Sequence, residues 1–180
     1  GLDLRNQGSN SGELELDRDL QRAISDYAPG GVVVAGGHLW ESAGIRRPHG
    51  GEEMPVYNYA VCDSCGAFRF AMERQVEQCD ICGSSQKQPG QAGRFISPRL
   101  GFVGKDAGEP SATRPRSVRS TRTWFGSYQD VVPDFEPVPE LSRVVPVSAR
   151  VSSQGMIVSV NQGPGGRGFQ FCDWCGFGQV

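Results

Sequence analysis

The sequence predicts a small, loop-rich, mostly β (α+β) domain that contains zinc-ribbon turns. Glycine supplies 25 and proline 12 of the 180 residues, and only 37% of the residues are apolar, so the chain can bury only a modest core. Short runs that alternate between apolar and polar residues are separated by turn residues, a pattern typical of strands. Small cores of this kind are commonly stabilised by metal or covalent cross-links. We therefore expect strands to dominate and a metal site to add stability.

Two Cys-Asp-x-Cys-Gly turns, the first knuckle (residues 62–66) and the second knuckle (residues 79–83), are separated by a short segment. Four thiolates placed tetrahedrally about 2.3 Å from the metal form a common structural zinc site, and this spacing is close to that of a zinc ribbon. The glycine that ends each turn can adopt the left-handed conformation that directs the following amides towards the sulfurs. The sequence predicts one zinc ion bound by the four cysteines Cys62, Cys65, Cys79 and Cys82.

Two disulfides or a redox dithiol are the alternatives. A redox Cys-x-x-Cys motif lies between a strand and a helix, whereas residues 67–72 alternate like a strand. Disulfides require an oxidising compartment, and the chain does not open with a charged-then-apolar secretory segment. No apolar run approaches the roughly 20 residues of a membrane span. We therefore expect a soluble, cytoplasmic protein with reduced cysteines.

A third copy of the motif, the third knuckle, closes the chain at residues 172–176. Its two thiols, Cys172 and Cys175, would form half of a second metal site. Either further ligands lie beyond the C-terminal Val180, or the two histidines of the chain complete the site; these are His38 and His49. We favour the first alternative, because the chain stops soon after the knuckle and does not begin with Met, as expected of a fragment.

The remaining segments predict one helix and a series of short strands. Residues 1–16 lack periodicity and are predicted to be a linker or a disordered end. Asp17 is expected to cap a short helix that runs to Ser25 or Asp26. Residues 32–34 and 39–40 are expected to form a hairpin around a Gly36-Gly37 turn, and residues 57–61 and 68–72 are expected to be partner strands. Further strands are expected at residues 95–96, 100–103, 144–151 and 156–160, and residues 131–139 are expected to be extended.

Positive charge is concentrated in residues 91–125, which carry seven basic and two acidic residues. Residues 104–122 lack a hydrophobic pattern and are predicted to form a long surface loop, the basic loop. Its arginines alternate with Ser and Thr hydroxyls, a combination suited to a nucleic-acid phosphate backbone. A solvated loop in an Arg-rich protein is the alternative. The predicted DNA-contacting residues are Arg114, Arg116, Arg119 and Arg122.

These predictions divide the chain into four parts. A linker (1–16) is followed by a β-rich domain (17–103) into which the zinc ribbon (62–83) is inserted. The basic loop then leads to a β-rich continuation (123–180) that ends in the third knuckle.

The glycine-rich segment 163–168 does not carry a nucleotide-binding motif. It lacks the Gly-Lys-Ser/Thr ending of a P-loop, and the residues that follow it do not open a helix, so we predict a hairpin turn. The sequence contains no acidic helicase box and no nucleophile elbow, and every cysteine lies in a knuckle. We therefore expect that the chain is not an enzyme.

A set of motifs follows a fixed order through residues 17–180. They are Asp17-Arg18-Asp19-Leu20, Ala23-Ile24, Tyr27-Ala28-Pro29-Gly30, Val33-Val34, Ser42-Ala43-Gly44-Ile45, the first two knuckles, Phe95-Ile96, Pro98, Gly101-Phe102-Val103, Arg114, Arg116, Val160-Asn161, Gly163, Gly166, Gly168-Phe169 and the third knuckle. This order resembles a cysteine-rich domain of unknown function found at the C-terminal end of certain superfamily-two DNA helicases, including mitomycin-repair helicases. The domain also occurs in the B component of the DISARM anti-phage system, which is the more similar of the two.

The resemblance implies a zinc-binding accessory domain that works with a helicase motor, in the same chain or in a partner, during DNA binding or phage defence. ATP hydrolysis would belong to the motor. In that family the last knuckle is followed by further Cys or His, as expected if this chain is a fragment. Two functions remain open: a module that contacts DNA, and a purely structural interaction domain that docks the motor without touching DNA. A C-terminal domain of a DNA-repair helicase is the alternative to the phage-defence system.

Overall fold

The structure is a computed structural model that describes residues 2–4, 14–48, 52–87, 89–110, 120–128, 134, 136–139, 141 and 145–180. Strands dominate these residues, which confirms the predicted mostly β class. The strands are β1 (Leu2–Leu4), β2 (Leu14–Leu16), β3 (Val32–Ala35), β4 (His38–Ile45), β5 (Val56–Val61), β6 (Phe68–Ala71), β7 (Gln91–Ile96), β8 (Phe102–Gly108), β9 (Thr121–Tyr128), β10 (Glu136–Pro137), β11 (Ser148–Ala149), β12 (Gly155–Asn161), β13 (Gln170–Phe171) and β14 (Gly178–Gln179). The helical elements are α1 (Leu20–Asp26) and a 3-10 turn (Pro164–Gly166).

The chain divides into two compact units. Unit 1 comprises Gly1–Val56, Phe95–Arg122 and Ser159–Val180, and unit 2 comprises Tyr57–Arg94 and Thr123–Val158. The first two knuckles belong to unit 2, whereas the third knuckle belongs to unit 1.

Unit 1 contains a five-stranded sheet with the order β2-β1-β8-β4-β3. β3 and β4 form the predicted hairpin, in which Ala35 pairs with His38. The two turn residues, Gly36 and Gly37, have φ angles of 56° and 79°. A tight hairpin turn with positive φ at both central positions is the kind that Gly-Gly favours, because glycine carries no Cβ.

The core of unit 1 lies where α1 meets this sheet. Tyr27, the C-cap residue just after α1, is 1% exposed, and its ring packs edge-on against Phe102 of β8 with 5.9 Å between the ring centroids. Leu2 of β1 is fully buried in the same cluster.

The prediction that residues 1–16 form a linker or a disordered end is wrong for residues 2–4 and 14–16. These residues form β1 and β2, and β1 pairs in parallel with β8 and antiparallel with β2.

The helix begins later than the sequence predicted. Asp19, and not Asp17, is its N-cap, because the Asp19 carboxylate accepts a hydrogen bond from the backbone amide of Arg22 over 2.9 Å. The helix ends at Asp26, within the predicted range.

Both ends of the predicted basic loop (104–122) form strands. β8 continues through Gly108, because its backbone pairs with β4, and Lys105 forms a cross-strand ion pair with Glu41 over 3.2 Å. At the other end, Arg122 already lies in β9. Arg114, Arg116 and Arg119 lie outside the described residues.

Unit 2 contains the three-stranded sheet β6-β5-β7, which holds the first knuckle. β5 and β6 pair with each other, as predicted, and run antiparallel from Asn58 opposite Ala71 to Val61 opposite Phe68. Phe68 is fully buried and stacks on Tyr59, with 4.9 Å between the ring centroids. The remaining described strands form three two-stranded sheets: β9 with β12, β10 with β11, and β13 with β14. The predicted strand at residues 144–151 is reduced to β11 in its described part.

Candidate metal centre

The sulfur atoms of Cys62, Cys65, Cys79 and Cys82 lie within 4.8 Å of one another, and we call this group the four-cysteine centre. The Sγ atoms of Cys62 and Cys82 are 3.6 Å apart, and those of Cys65 and Cys79 are 3.7 Å apart. In a tetrahedral site with metal–sulfur bonds of about 2.3 Å, the sulfurs are about 3.8 Å from one another. A disulfide bond is only about 2.0 Å long, and all four cysteines are free. The predicted cluster is confirmed as a group that could hold a metal ion.

The first knuckle is a turn between β5 and β6. The backbone amide of Cys62 donates to the carbonyl of Ala67 over 2.9 Å, and the amide of Gly66 donates to the carbonyl of Cys62 over 2.7 Å. Gly66 has a φ angle of 71°, as its predicted left-handed role requires.

The second knuckle repeats this geometry. The amide of Cys79 donates to the carbonyl of Ser84 over 2.9 Å, and the amide of Gly83 donates to the carbonyl of Cys79 over 2.7 Å. In both of these knuckles the first cysteine is buried and the second is exposed. The centre is therefore built from two halves with the same backbone conformation.

Two polar residues that the sequence did not single out complete the centre. The Ser84 hydroxyl lies 3.1 Å from the sulfurs of both Cys62 and Cys82, and the Gln86 amide donates to the Cys62 sulfur over 3.3 Å. Donors of this kind orient ligands and offset the negative charge of the thiolates. Their only sequence signal is a polar run directly after the second knuckle.

The four thiols differ in pKa because their surroundings differ. Cys65 is exposed as a residue, but desolvation of its sulfur and the neighbouring cysteine sulfurs raise its pKa to about 12. Burial also raises the pKa of Cys79. Burial acts in the same direction on Cys62, but hydrogen bonds from the Ser84 hydroxyl and from amides of its own knuckle outweigh it and lower the pKa to about 6. The Ser84 hydroxyl also lowers the pKa of Cys82. A metal ion binding at neutral pH must therefore displace protons from Cys65 and Cys79.

The aspartates of the first two knuckles anchor these turns to the surrounding chain. Asp63 of the first knuckle accepts hydrogen bonds from the backbone amide of Gly90 over 3.0 and 3.2 Å, just before β7. Asp80 of the second knuckle is bound by the guanidinium of Arg69, whose other nitrogen donates to the carbonyl of Gly126 over 2.6 Å. The Asp in the motif thus fixes the position of the turn and leaves ligation to the cysteines.

The third knuckle lies between β13 and β14 of unit 1. The amide of Cys172 donates to the carbonyl of Phe177 over 2.8 Å, and the amide of Gly176 donates to the carbonyl of Cys172 over 2.9 Å. The amides of Cys175 and Trp174 lower the pKa of the Cys172 thiol. Both thiols are exposed. The third knuckle therefore has the same backbone as the two that form the four-cysteine centre.

Within the described ranges, no third Cys, His, Asp or Glu joins Cys172 and Cys175 to form a metal-sized cluster. His38, one of the two predicted alternative ligands, starts β4 and has its Nδ1 atom 3.9 Å from the carboxylate of Asp106. His49 lies outside the described residues. The second metal site stays a prediction.

The other predicted functional segments have simpler structures. Arg122 is exposed in β9. In the glycine-rich turn, the amide of Gly166 donates to the carbonyl of Gly163, and the amide of Gly168 donates to the carbonyl of Gln162. Both amides therefore have their hydrogen-bond partners within the turn. No helix in the described part of the chain has the length and apolar character needed to cross a bilayer.

Comparisons with protein-family models, curated proteins and solved structures give no match to this chain. Function is therefore inferred from the four-cysteine centre and its surroundings.

Proposed function

We propose that the chain is a zinc-binding accessory module in which the four-cysteine centre holds one structural zinc ion. The observation that carries this proposal is the set of four sulfurs within 4.8 Å, supplied by two turns of the same geometry. Thiolates favour zinc over harder cations such as magnesium and calcium. Four protein ligands fill a tetrahedral zinc site and leave no position for a water or a substrate, so this zinc would be structural and not catalytic.

The position of the centre supports a structural role. Between β6 and β7 the chain runs through residues 72–90 without a described strand. The second knuckle lies within this segment, and a zinc ion would join it to the first knuckle at the end of β5. Because such a site does not exist in the unfolded chain, zinc binding would contribute directly to folding.

The partner we propose is a helicase motor, in the same chain or in a separate subunit. The order of motifs through residues 17–180 supports this assignment, either to a DISARM-like phage-defence system or to a DNA-repair helicase. The motor would hydrolyse ATP, while the zinc-stabilised module would contact DNA or dock the motor.

Contact with DNA is the first of these two roles. It is supported by four arginines within residues 114–122, of which Arg122 is exposed at the start of β9. Arginine side chains bind phosphates, and a phosphate contact alone does not distinguish one base sequence from another.

Docking of a protein partner is the second role, and exposed apolar side chains in unit 2 favour it. Large aliphatic residues in its C-terminal part are between 61% and 81% exposed; they are Leu141, Val145, Val151 and Ile157. Single apolar residues are common on surfaces, whereas a contiguous apolar patch is typical of an interaction site.

Salt-dependent DNA binding separates the two roles. The wild type is compared with a variant in which Arg114, Arg116, Arg119 and Arg122 are all changed to Ala. If they contact phosphates, the log-log slope of affinity against salt flattens by about 0.7 to 0.9 per lost contact, or roughly three units in total. Zinc content should stay unchanged.

A matched control removes four exposed arginines outside this segment: Arg74, Arg94, Arg99 and Arg167. Its slope should stay close to that of the wild type. Equal DNA binding by the wild type and the first variant would contradict the DNA role and leave docking as the function to test. Equal losses in both variants would contradict the assignment of the DNA contact to residues 114–122.

A further inference from the structure

We propose that the third knuckle binds a metal ion of its own together with the third knuckle of a second copy of this chain. The ion would be a zinc or a similar thiophilic divalent cation, and four thiolates, two from each copy, would hold it. This second site does not depend on the four-cysteine centre.

The first support is the backbone geometry of the knuckle. All three knuckles share the amide-to-carbonyl hydrogen bonds described above, and their glycines, Gly66, Gly83 and Gly176, have φ angles of 71°, 73° and 76°. In the four-cysteine centre, two knuckles of the same conformation face each other, and each supplies two of the four sulfurs. The third knuckle is therefore already shaped to provide half of such a site.

The second support is the rigid attachment of the knuckle to unit 1. Arg47 donates through Nη1 to the carbonyls of Asp173 and Trp174, the latter over 2.8 Å, and through Nη2 to the carbonyl of Glu52 over 2.8 Å. The amide of Ile45 donates to the carbonyl of Gly176 over 3.0 Å. Ligands held in place before binding lose less conformational freedom when the metal arrives.

The third support is the surface that surrounds the two thiols. Trp174 lies between them in sequence and is 88% exposed, and Phe177 and Val180 are 50% and 60% exposed. Tryptophan is enriched in protein interfaces, where its large ring is buried by the partner.

A second copy is the occupant that completes this arrangement. Zinc in structural sites takes four ligands, and the described part of this chain brings no third ligand to Cys172 and Cys175. A two-fold axis through the metal would supply the missing pair from the same surface of the second copy, as in the common isologous dimers. Binding involves no redox change: the thiols lose their protons to the solvent, and the sulfurs bind the metal.

The test uses the 180-residue chain, reduced and saturated with zinc, with mass measured by light scattering and zinc measured by elemental analysis. We expect a dimer with about three zinc ions per two chains, one in each four-cysteine centre and one shared. Changing both Cys172 and Cys175 to Ser should give a monomer with about one zinc per chain. Circular dichroism checks that this variant is folded.

A second variant, Trp174→Glu, leaves both thiols in place and puts like charges at the interface, so it should also weaken the dimer. The reciprocal double variant changes both Cys65 and Cys82 to Ser and removes zinc from the four-cysteine centre only. Because the shared site does not depend on that centre, this variant separates a failure of this proposal from a failure of the proposed function. A monomer at every zinc concentration, a monomer with two zinc ions, or a dimer that survives loss of both Cys172 and Cys175 would overturn the proposal.

Discussion

The side-chain amide of Gln86 donates a hydrogen bond to the sulfur of Cys62 over 3.3 Å. Gln86 is only 4% exposed, and the same amide lies 3.1 Å from the hydroxyl of Ser84. Burying an amide is costly unless the amide forms hydrogen bonds, and here the Cys62 sulfur is one of its partners. We infer that Gln86 positions the Cys62 sulfur and reduces its charge when the metal is bound.

Changing Gln86 to Leu should therefore weaken zinc binding. Loss of an outer hydrogen bond to a metal ligand typically lowers metal affinity by about 10- to 100-fold. Competition with a chromogenic chelator measures this affinity. As a matched control, Gln179→Leu removes a glutamine whose side chain bonds to Gln170 in unit 1, and it should leave the affinity of the four-cysteine centre unchanged. An unaltered affinity in Gln86→Leu would show that the contact is only incidental.

The close approach of Gly44 to the third knuckle gives a second prediction. Gly44 has a φ angle of +152°, and a Cβ atom there would lie 2.1 Å from the carbonyl oxygen of Gly176. Gly44→Ala should lower the free energy of unfolding by about 2 to 4 kcal/mol through the clash and the strained backbone. Denaturant unfolding followed by circular dichroism measures the change.

Gly37→Ala is the control that isolates the clash. Gly37 also has a positive φ angle, of 79°, but a Cβ atom there would meet nothing within 4 Å. This substitution should cost only the backbone strain, about 1 to 2 kcal/mol. If both variants were destabilised equally, the packing of the knuckle against β4 would contribute nothing measurable.

The different thiol pKa values predict that zinc binding is linked to pH. Desolvation of the sulfur raises the pKa of both Cys65 and Cys79, so both are protonated at neutral pH before the metal binds. Zinc binding should therefore release at least these two protons, and zinc affinity should rise with pH. Calorimetry at pH 7 in buffers of different ionisation enthalpy counts the protons. Release of fewer than about two protons would contradict the raised pKa values of Cys65 and Cys79.

The four-cysteine centre could be predicted from the sequence because each knuckle is a local structure. Two cysteines, a glycine and the hydrogen bonds of one turn fix the position of each thiol pair, and the spacing brings the pairs together. Ser84 and Gln86 were missed because their contacts depend on how the chain folds back after the second knuckle. Serine and glutamine in a polar run carry no signal of that path.

The fold shows the same division between local and long-range structure. The β3–β4 hairpin was predicted because its Gly-Gly turn specifies the pairing locally. β1 was missed because it is three residues long and its parallel partner, β8, lies far along the chain. The second half of β8 was predicted to be loop because Lys105 to Gly108 is exposed, and its backbone pairing with β4 leaves no apolar pattern.

Zinc content is the measurement that tests the central claim most directly. It is best made with Cys172 and Cys175 both changed to Ser, so that only the four-cysteine centre can bind. Adding Cys65→Ser or Cys82→Ser changes an exposed thiol and should not disturb the core. Ser64→Ala, within the same knuckle, is the matched control because it removes a hydroxyl and no ligand.

We expect one zinc ion per chain in this background and in the Ser64→Ala control. Each added cysteine substitution should abolish zinc binding and lower the midpoint of thermal unfolding, because the metal contributes to folding. A folded chain that contains no zinc, or one that keeps its zinc without Cys65 or Cys82, would contradict the structural zinc site.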